Sequence, residues 1–423
     1  MAILEPIRIP SWWRPPSHIP PANFKDLVFA GYQGWFSAQG DSTLNQWWHW
    51  TPGTTPAPGN VFFELYPDVR EYLPTDLFPT NLGSLGNGSP AKLYASVRDG
   101  VVDLHFRWMQ QYGIDGAAVQ RFVVEVKDPL HFPWRDAVNQ KIKEKAEKYQ
   151  RYYCIEYDVS GADPSTLVQD IQNDFAHLEQ LGIVDSWYYA RQNLKPVISL
   201  WGFSFPNSTA TPSQASQLIQ YFKNKGYYVV GGVTGWWRTT VPDWDTTFLQ
   251  FDMIQSWSVG MGYQTDADFD NYFNNIVIPE KSYLAQNGVD YQTVISPGSA
   301  WSNWHSGAPR NQFPRRGGGF FWRQAYWVSL MRGQAKIAMF DEFDEGTAIA
   351  KAAENVSMIP TNQYFLTLDA DGISMDSDFY LRLAGEATKM IKGERALTGS
   401  VPIPYRVVQL PPKPIGGWGK QTQ

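Results

Sequence analysis

A chain of 423 residues is long enough to bury a large core, and its 43% hydrophobic and 18% charged content is that of an ordinary globular protein. The formal charge of −6, with no basic cluster beyond Arg315 and Arg316, leaves nothing to neutralise a row of phosphates and excludes a nucleic-acid partner. No apolar run reaches transmembrane length, so no membrane span is expected.

Strand-like apolar runs alternate with amphipathic stretches along almost the whole chain. The first predicted strand, 27–35, runs into GYQGWF and then a segment of roughly sixty residues that holds Trp47, Trp48, His49 and Trp50. Structureless connections of that length are uncommon, which points to a loop lining a cleft. A helix over 101–112 follows, then a strand over 116–123, a charged helix over 134–149 and a strand over 152–157. Next come a helix over 164–181 with Asp163 as its N-cap, a strand over 196–202, and a helix over 212–225 opened by Thr211 and closed by Gly226. The remaining strands are 227–233, 253–257, 293–296 and 335–340, with helices over 267–287, 319–331 and 378–391. Only the helix after the fifth strand is weakly marked. Eight such units predict an α/β fold, a single (β/α)8 TIM barrel with a long loop after strand one. The barrel domain is expected to span 27–395, between Pro-rich arms at 1–26 and 396–423.

Barrel chemistry belongs at the C-terminal ends of the strands. There the sequence places Gln120-Arg121, Glu156-Tyr157-Asp158, Trp201, Trp236-Trp237-Arg238, Gln255 with Trp257, and SPGSAWSNWH. Strand eight breaks into Asp341, Glu342, Asp344 and Glu345, four carboxylates in five residues with Gly346 behind them. The strand is expected to end at about residues 340–342. A solvated acidic loop, or a loop capping the next helix, is the plainer reading of this cluster. Its direct fusion to an apolar core segment favours chemistry, because crowded carboxylates at a buried strand tip are costly unless they bind or transfer something. Two carboxylic acids in unequal environments are what glycosidic bond cleavage requires.

The 19 Trp, 22 Tyr and 24 Phe supply flat rings that serve as core filler or as platforms for sugar faces. Cys154 is the only cysteine, so no intramolecular disulfide forms. The six histidines show no HxH or HExxH spacing, which argues against a structural zinc site, and no cofactor is expected; the acidic cluster does not match a calcium loop, which leaves a divalent-metal site there as the least favoured reading. The first residues, MAILEPIRIPSWWRPP, lack the basic start and long apolar core of a signal peptide.

With these residues in place, the chain resembles the glycoside hydrolase family 99 barrels, the endo-α-mannosidases and their relatives. The resemblance is carried by Pro297-Gly298, Trp304, Arg310, Gly317-Gly318 with Phe320-Phe321, and Asp341-Glu342-Phe343-Asp344-Glu345-Gly346-Thr347. It extends more loosely to Tyr32, Trp35, His49-Trp50, Ile114-Asp115 and Glu156. The family carries Asn-Glu-Trp-His-Glu-Gly-Thr where this chain has DEFDEGT, so an imidazole is lost and a carboxyl gained. The resemblance implies a retaining glycosidase acting on an oligosaccharide or polysaccharide. By it, Glu342 would deprotonate the sugar's 2-hydroxyl for attack on the anomeric carbon. Glu345 would protonate the leaving oxygen and then activate water. Tyr32, His49, Glu156 and Arg310 would hold hydroxyls, Trp47, Trp50, Trp236 and Trp304 would stack, and Asp341 and Asp344 would line the pocket. These residues are expected to converge. The competing expectation is a sugar-binding protein on a glycosidase-like barrel, against which the retention of both glutamates argues.

Overall fold

The computed structural model describes residues 22–206, 208–261 and 265–407; most of the N-terminal arm and residues 408–423 of the C-terminal arm lie outside these. Eight strands follow one another as β1 (Phe29–Tyr32), β2 (Gly116–Phe122), β3 (Tyr152–Asp158), β4 (Lys195–Phe203), β5 (Tyr228–Thr234), β6 (Met253–Trp257), β7 (Asp290–Ile295) and β8 (Gln334–Ile337). Between them lie α1 (Asp99–Tyr112), α2 (His131–Tyr149), α3 (Leu167–Gln180) and α4 (Pro212–Asn224). The short turns Trp237–Thr240 and Asp245–Phe248 come next, followed by α5, which starts at Asp266–Tyr272 and continues through Ile278–Gln286. Finally α6 (Gly319–Leu330) precedes β8 and α7 (Phe379–Ile391) follows it. The strands pair in the order β3-β2-β1-β8-β7-β6-β5-β4, and β3 pairs again with β4, which closes a parallel (β/α)8 barrel. Every predicted barrel strand is present. Each is buried on both faces, which explains why the sequence shows near-continuous apolar runs there.

By its contacts the chain forms two compact units. The first comprises the described residues of Met1–Gly34, Ile114–Val294 and Met331–Ile337, and holds nearly all of the barrel-strand residues. Its register fixes which side chains face inward. Glu156 pairs with Gln120 on one side and Ser199 on the other, and all three join inside the barrel. Lys336 of β8, a strand that does not neighbour β3, reaches across the interior to Glu156 and also donates to Gln255 Oε1 at 3.1 Å. One residue further along, the alternate face points outward: Arg121 and Tyr157 both hold Asp174 of α3.

The second unit comprises Trp35–Gly113, Ile295–Leu330 and the described residues of Ala338–Gln423. The long segment after β1 is not structureless. It contains an antiparallel hairpin, Leu77–Ser84 with Pro90–Tyr94, which its Pro- and Gly-interrupted sequence concealed. Strand eight also ends at Ile337, earlier than expected. Beyond it the backbone pairs with its own return: Met339 N–H donates to Thr347 O (3.2 Å), Ile349 N–H to Met339 O (3.0 Å) and Ala350 N–H to Phe340 O (2.9 Å). Local pairing thus replaces the barrel ladder.

Candidate active site

The acidic cluster is the tip of this returning loop, within the second unit. Thr347 and Ala348 N–H both donate to Glu342 O, at 3.1 and 3.0 Å, and Gly346 turns the chain at φ 65°. A Cβ at Gly346 would fall 2.9 Å from both Ala300 N and Ala300 O, so only glycine lets the segment after β7 lie this close. Ala300 N–H donates to Glu345 O at 2.8 Å, and Arg315 donates to Gly346 O (2.8 Å) and Ala348 O (2.7 Å). The backbone beneath both glutamates is therefore pinned from two directions.

Their side chains sit in unequal surroundings. Glu342 is 3% exposed and its Oε2 accepts from the Thr347 hydroxyl at 2.5 Å, whereas Glu345 is half-buried. Asp341 and Asp344 are fully buried. Asp344 Oδ2 lies 3.0 Å from His49 Nδ1, while its Oδ1 is buried with no hydrogen-bond partner. Burial holds the Asp344 carboxyl well above the ordinary carboxylate range.

His49 reaches Asp344 from a tight turn. Ser37 and Trp48 exchange backbone hydrogen bonds, Trp50 N–H donates to Trp48 O at 2.8 Å, and His49 takes φ 60° between them. Its ring stacks on Trp35 at 3.6 Å and 9°, and meets the edge of Trp304 at 6.2 Å and 90°. Trp304 is half-buried and also stacks on Phe62 at 5.2 Å, so it is partly supported and partly open. The loop carrying it is held by Glu64, which the sequence did not mark. This fully buried carboxylate accepts from Ser302 N (2.5 Å), Asn311 N (2.7 Å) and the Tyr364 hydroxyl (3.1 Å).

Several expected ligands have other tasks. Trp50 is fully buried, stacks on Phe36 at 3.8 Å and donates its indole N–H to Tyr94 O at 2.8 Å. Trp47 is 2% exposed. Neither presents a ring to a sugar. Tyr32 is paired with Val119, on the face opposite to Gln120, and a Cβ at Gly34 would fall 3.1 Å from both Tyr32 Cε1 and Val138 Cγ1. This places Tyr32 outside the barrel against α2, as a packing residue. Glu156 is fully buried in the barrel interior, where Gln120, Ser199 and Lys336 all engage its carboxylate. Trp236 is half-buried in the first unit against Tyr272 at 4.6 Å, and Arg310 is exposed with its guanidinium 4.1 Å from the Tyr364 ring centroid. Among the described residues, no three His, Cys, Asp or Glu side chains are grouped to hold a metal ion, and no helix is long and apolar enough to cross a membrane.

No protein-family model matches the sequence, and no curated protein is similar to it. Solved structures are similar in fold. The family 99 endo-α-mannosidase from Bacteroides thetaiotaomicron superposes with a TM-score of 0.63 over 87% of this chain and 98% of its own, at 12% sequence identity. A structure described as a glycoside hydrolase-like protein superposes with a TM-score of 0.50 over 79% and 97% of the two chains, at 16% identity. The chain thus has the fold of the family 99 glycoside hydrolase barrels.

Proposed function

We propose that this protein is a retaining glycoside hydrolase that cleaves an oligosaccharide or polysaccharide with the Glu342–Glu345 pair. The observation that carries this reading is the contrast between the two carboxyls on one pinned loop. Glu342 is buried and hydrogen-bonded to Thr347, while Glu345 is half-buried. Unequal environments are how two chemically similar acids divide acid and base roles. In the first step the sugar's 2-hydroxyl loses its proton to Glu342 as its oxygen attacks the anomeric carbon. The glycosidic bond breaks, and the leaving oxygen takes a proton from Glu345. In the second step Glu345 takes a proton from water as the water oxygen attacks the same carbon. The bond to O2 opens, and O2 recovers its proton from Glu342. Two displacements at one carbon retain its configuration.

His49, Asp344 and Trp304 complete the set within this unit: a held imidazole, the carboxyl that orients it, and a half-open indole for a sugar face. The likeness in fold to an endo-α-mannosidase supports α-linked mannosides as the first substrates to test. The test is a panel of aryl glycosides and α-mannooligosaccharides, with Glu345→Gln as control. Turnover with retained configuration, abolished on natural glycosides by that variant, supports the proposal. An inert parent that still binds sugars would replace it with the carbohydrate-binding reading.

A further inference from the structure

The first unit carries an arrangement that none of these roles uses. Trp201 on β4 pairs with Asp158 on β3 and with Gly232 on β5. Counting two residues along from Glu156 and Ser199, which meet inside the barrel, places Asp158 and Trp201 on the same inward face, one layer nearer the C-terminal mouth. A Cβ at Gly232 would fall 2.2 Å from Trp201 Cδ1, so the indole lies across β5 where that strand has no side chain. The Trp257 ring stands against it at 5.3 Å and 78°, and Phe205 backs it at 4.5 Å and 34°. Both tryptophans are half-buried, so the corner they make is supported on one side and open on the other. Two polar groups accompany it. The Trp201 Nε1–H is buried with no acceptor in the protein. Asp158, 9% exposed, accepts from Ser160 N at 2.7 Å through Oδ1. Burial pushes its carboxyl up to about 6, so it is largely ionised at neutral pH.

We propose that Trp201, Trp257 and Asp158 form a binding subsite for a pyranose ring at the mouth of the barrel. The sugar's apolar face lies against an indole, one hydroxyl donates to Asp158, and a sugar oxygen accepts from the Trp201 N–H. This inference rests on the carbohydrate reading above. The chemistry selects a sugar over other occupants. A purely apolar ligand would leave a buried donor and a carboxylate unsatisfied. A phosphate or acidic ligand would be repelled by Asp158. A neutral polyol with one apolar face satisfies both groups and the rings together.

Isothermal titration of the full chain with α-mannotriose, read together with tryptophan fluorescence, tests the subsite apart from turnover. Trp257→Ala is expected to raise Kd at least about fivefold, the scale of one lost aromatic contact. Trp257→Phe should recover part of that loss, and Asp158→Asn should raise Kd about threefold with unchanged thermal stability. If Trp257→Ala does not fold, the Phe and Asn variants carry the same test. Unchanged Kd in both of those would overturn the subsite, and if the parent still cleaves glycosides the enzymatic reading survives that result. Loss of binding in the variants of a parent that cleaves nothing would support the subsite and remove the enzymatic reading. Failure of the parent to bind the probe would overturn the subsite.

Discussion

The barrel interior and the acidic loop both bury carboxyl groups, and they solve the problem in opposite ways. In the interior, Glu156 is engaged by three side chains and Lys336 supplies the compensating charge. Such a pair stabilises little in net terms, but nothing in it is left to react. On the loop, Asp344 is fully buried with no cation paired to it beyond the His49 imidazole at one oxygen, and its other oxygen is unmatched by any side chain. A buried charge that is fully matched is scaffold. One left incompletely matched retains affinity for a proton, and that is the currency of acid–base chemistry.

This contrast can be broken from either side. The largest expected effect is in the interior: Lys336→Met strands Glu156 as a lone buried charge and should cost about 3–5 kcal/mol in urea unfolding. The double variant with Glu156→Gln should recover most of that loss, and a double variant as unstable as the single would show that the pair is not the point. Trp50→Ala should cost a comparable ~3–5 kcal/mol because the ring is core. Trp304→Ala, at a half-open ring, should cost under about 1 kcal/mol while weakening glycan binding. Gly346→Ala meets both a positive φ and the Ala300 backbone. It should cost about 1–3 kcal/mol and lower activity by displacing Glu345.

The one stability effect of opposite sign belongs to Asp344. Its folded-state affinity for a proton is raised by burial, so the native chain holds a proton that the unfolded chain releases above about pH 4. Stability contributed by this group is therefore fully present below that pH and falls as pH rises through the folded value. Asp344→Asn should flatten that part of the stability–pH curve and stabilise the chain by on the order of 1 kcal/mol at neutral pH. It should also lower turnover, since His49 loses the carboxyl group that orients it. A variant less stable than the parent at pH 7 would contradict this account.

The barrel was legible because parallel strands covered on both faces leave apolar runs at regular intervals, and all eight were readable. The acidic loop was legible because four carboxylates in five residues have few plain explanations. Side-chain direction was not. Tyr32 and Glu156 both lie on strands, and only the register with Val119 and Ser199 sends one outward and the other into a closed network. Nor could tryptophans be sorted into core and surface by position: Trp50 and Trp304 each follow a strand, yet one is sealed and the other open. Lys336 looked like an ordinary strand residue because its partner is 180 positions away. Glu64 and the hairpin at Leu77–Ser84 and Pro90–Tyr94 lay hidden in a segment with no clear periodicity.

The central claim, that Glu342 and Glu345 are a working pair with divided roles, is tested most directly by leaving-group dependence. The measurement is first-step rate of Glu345→Gln and Glu342→Gln on a glycoside with a poor leaving group and on one whose phenol departs unaided. Glu345→Gln is predicted to lose about 10³-fold or more on the first and far less on the second, because a good leaving group does not need the acid. Glu342→Gln is predicted to lose a comparable factor on both, because every substrate needs its 2-hydroxyl activated. Parent-like rates for both variants on every substrate that the parent cleaves would contradict the account.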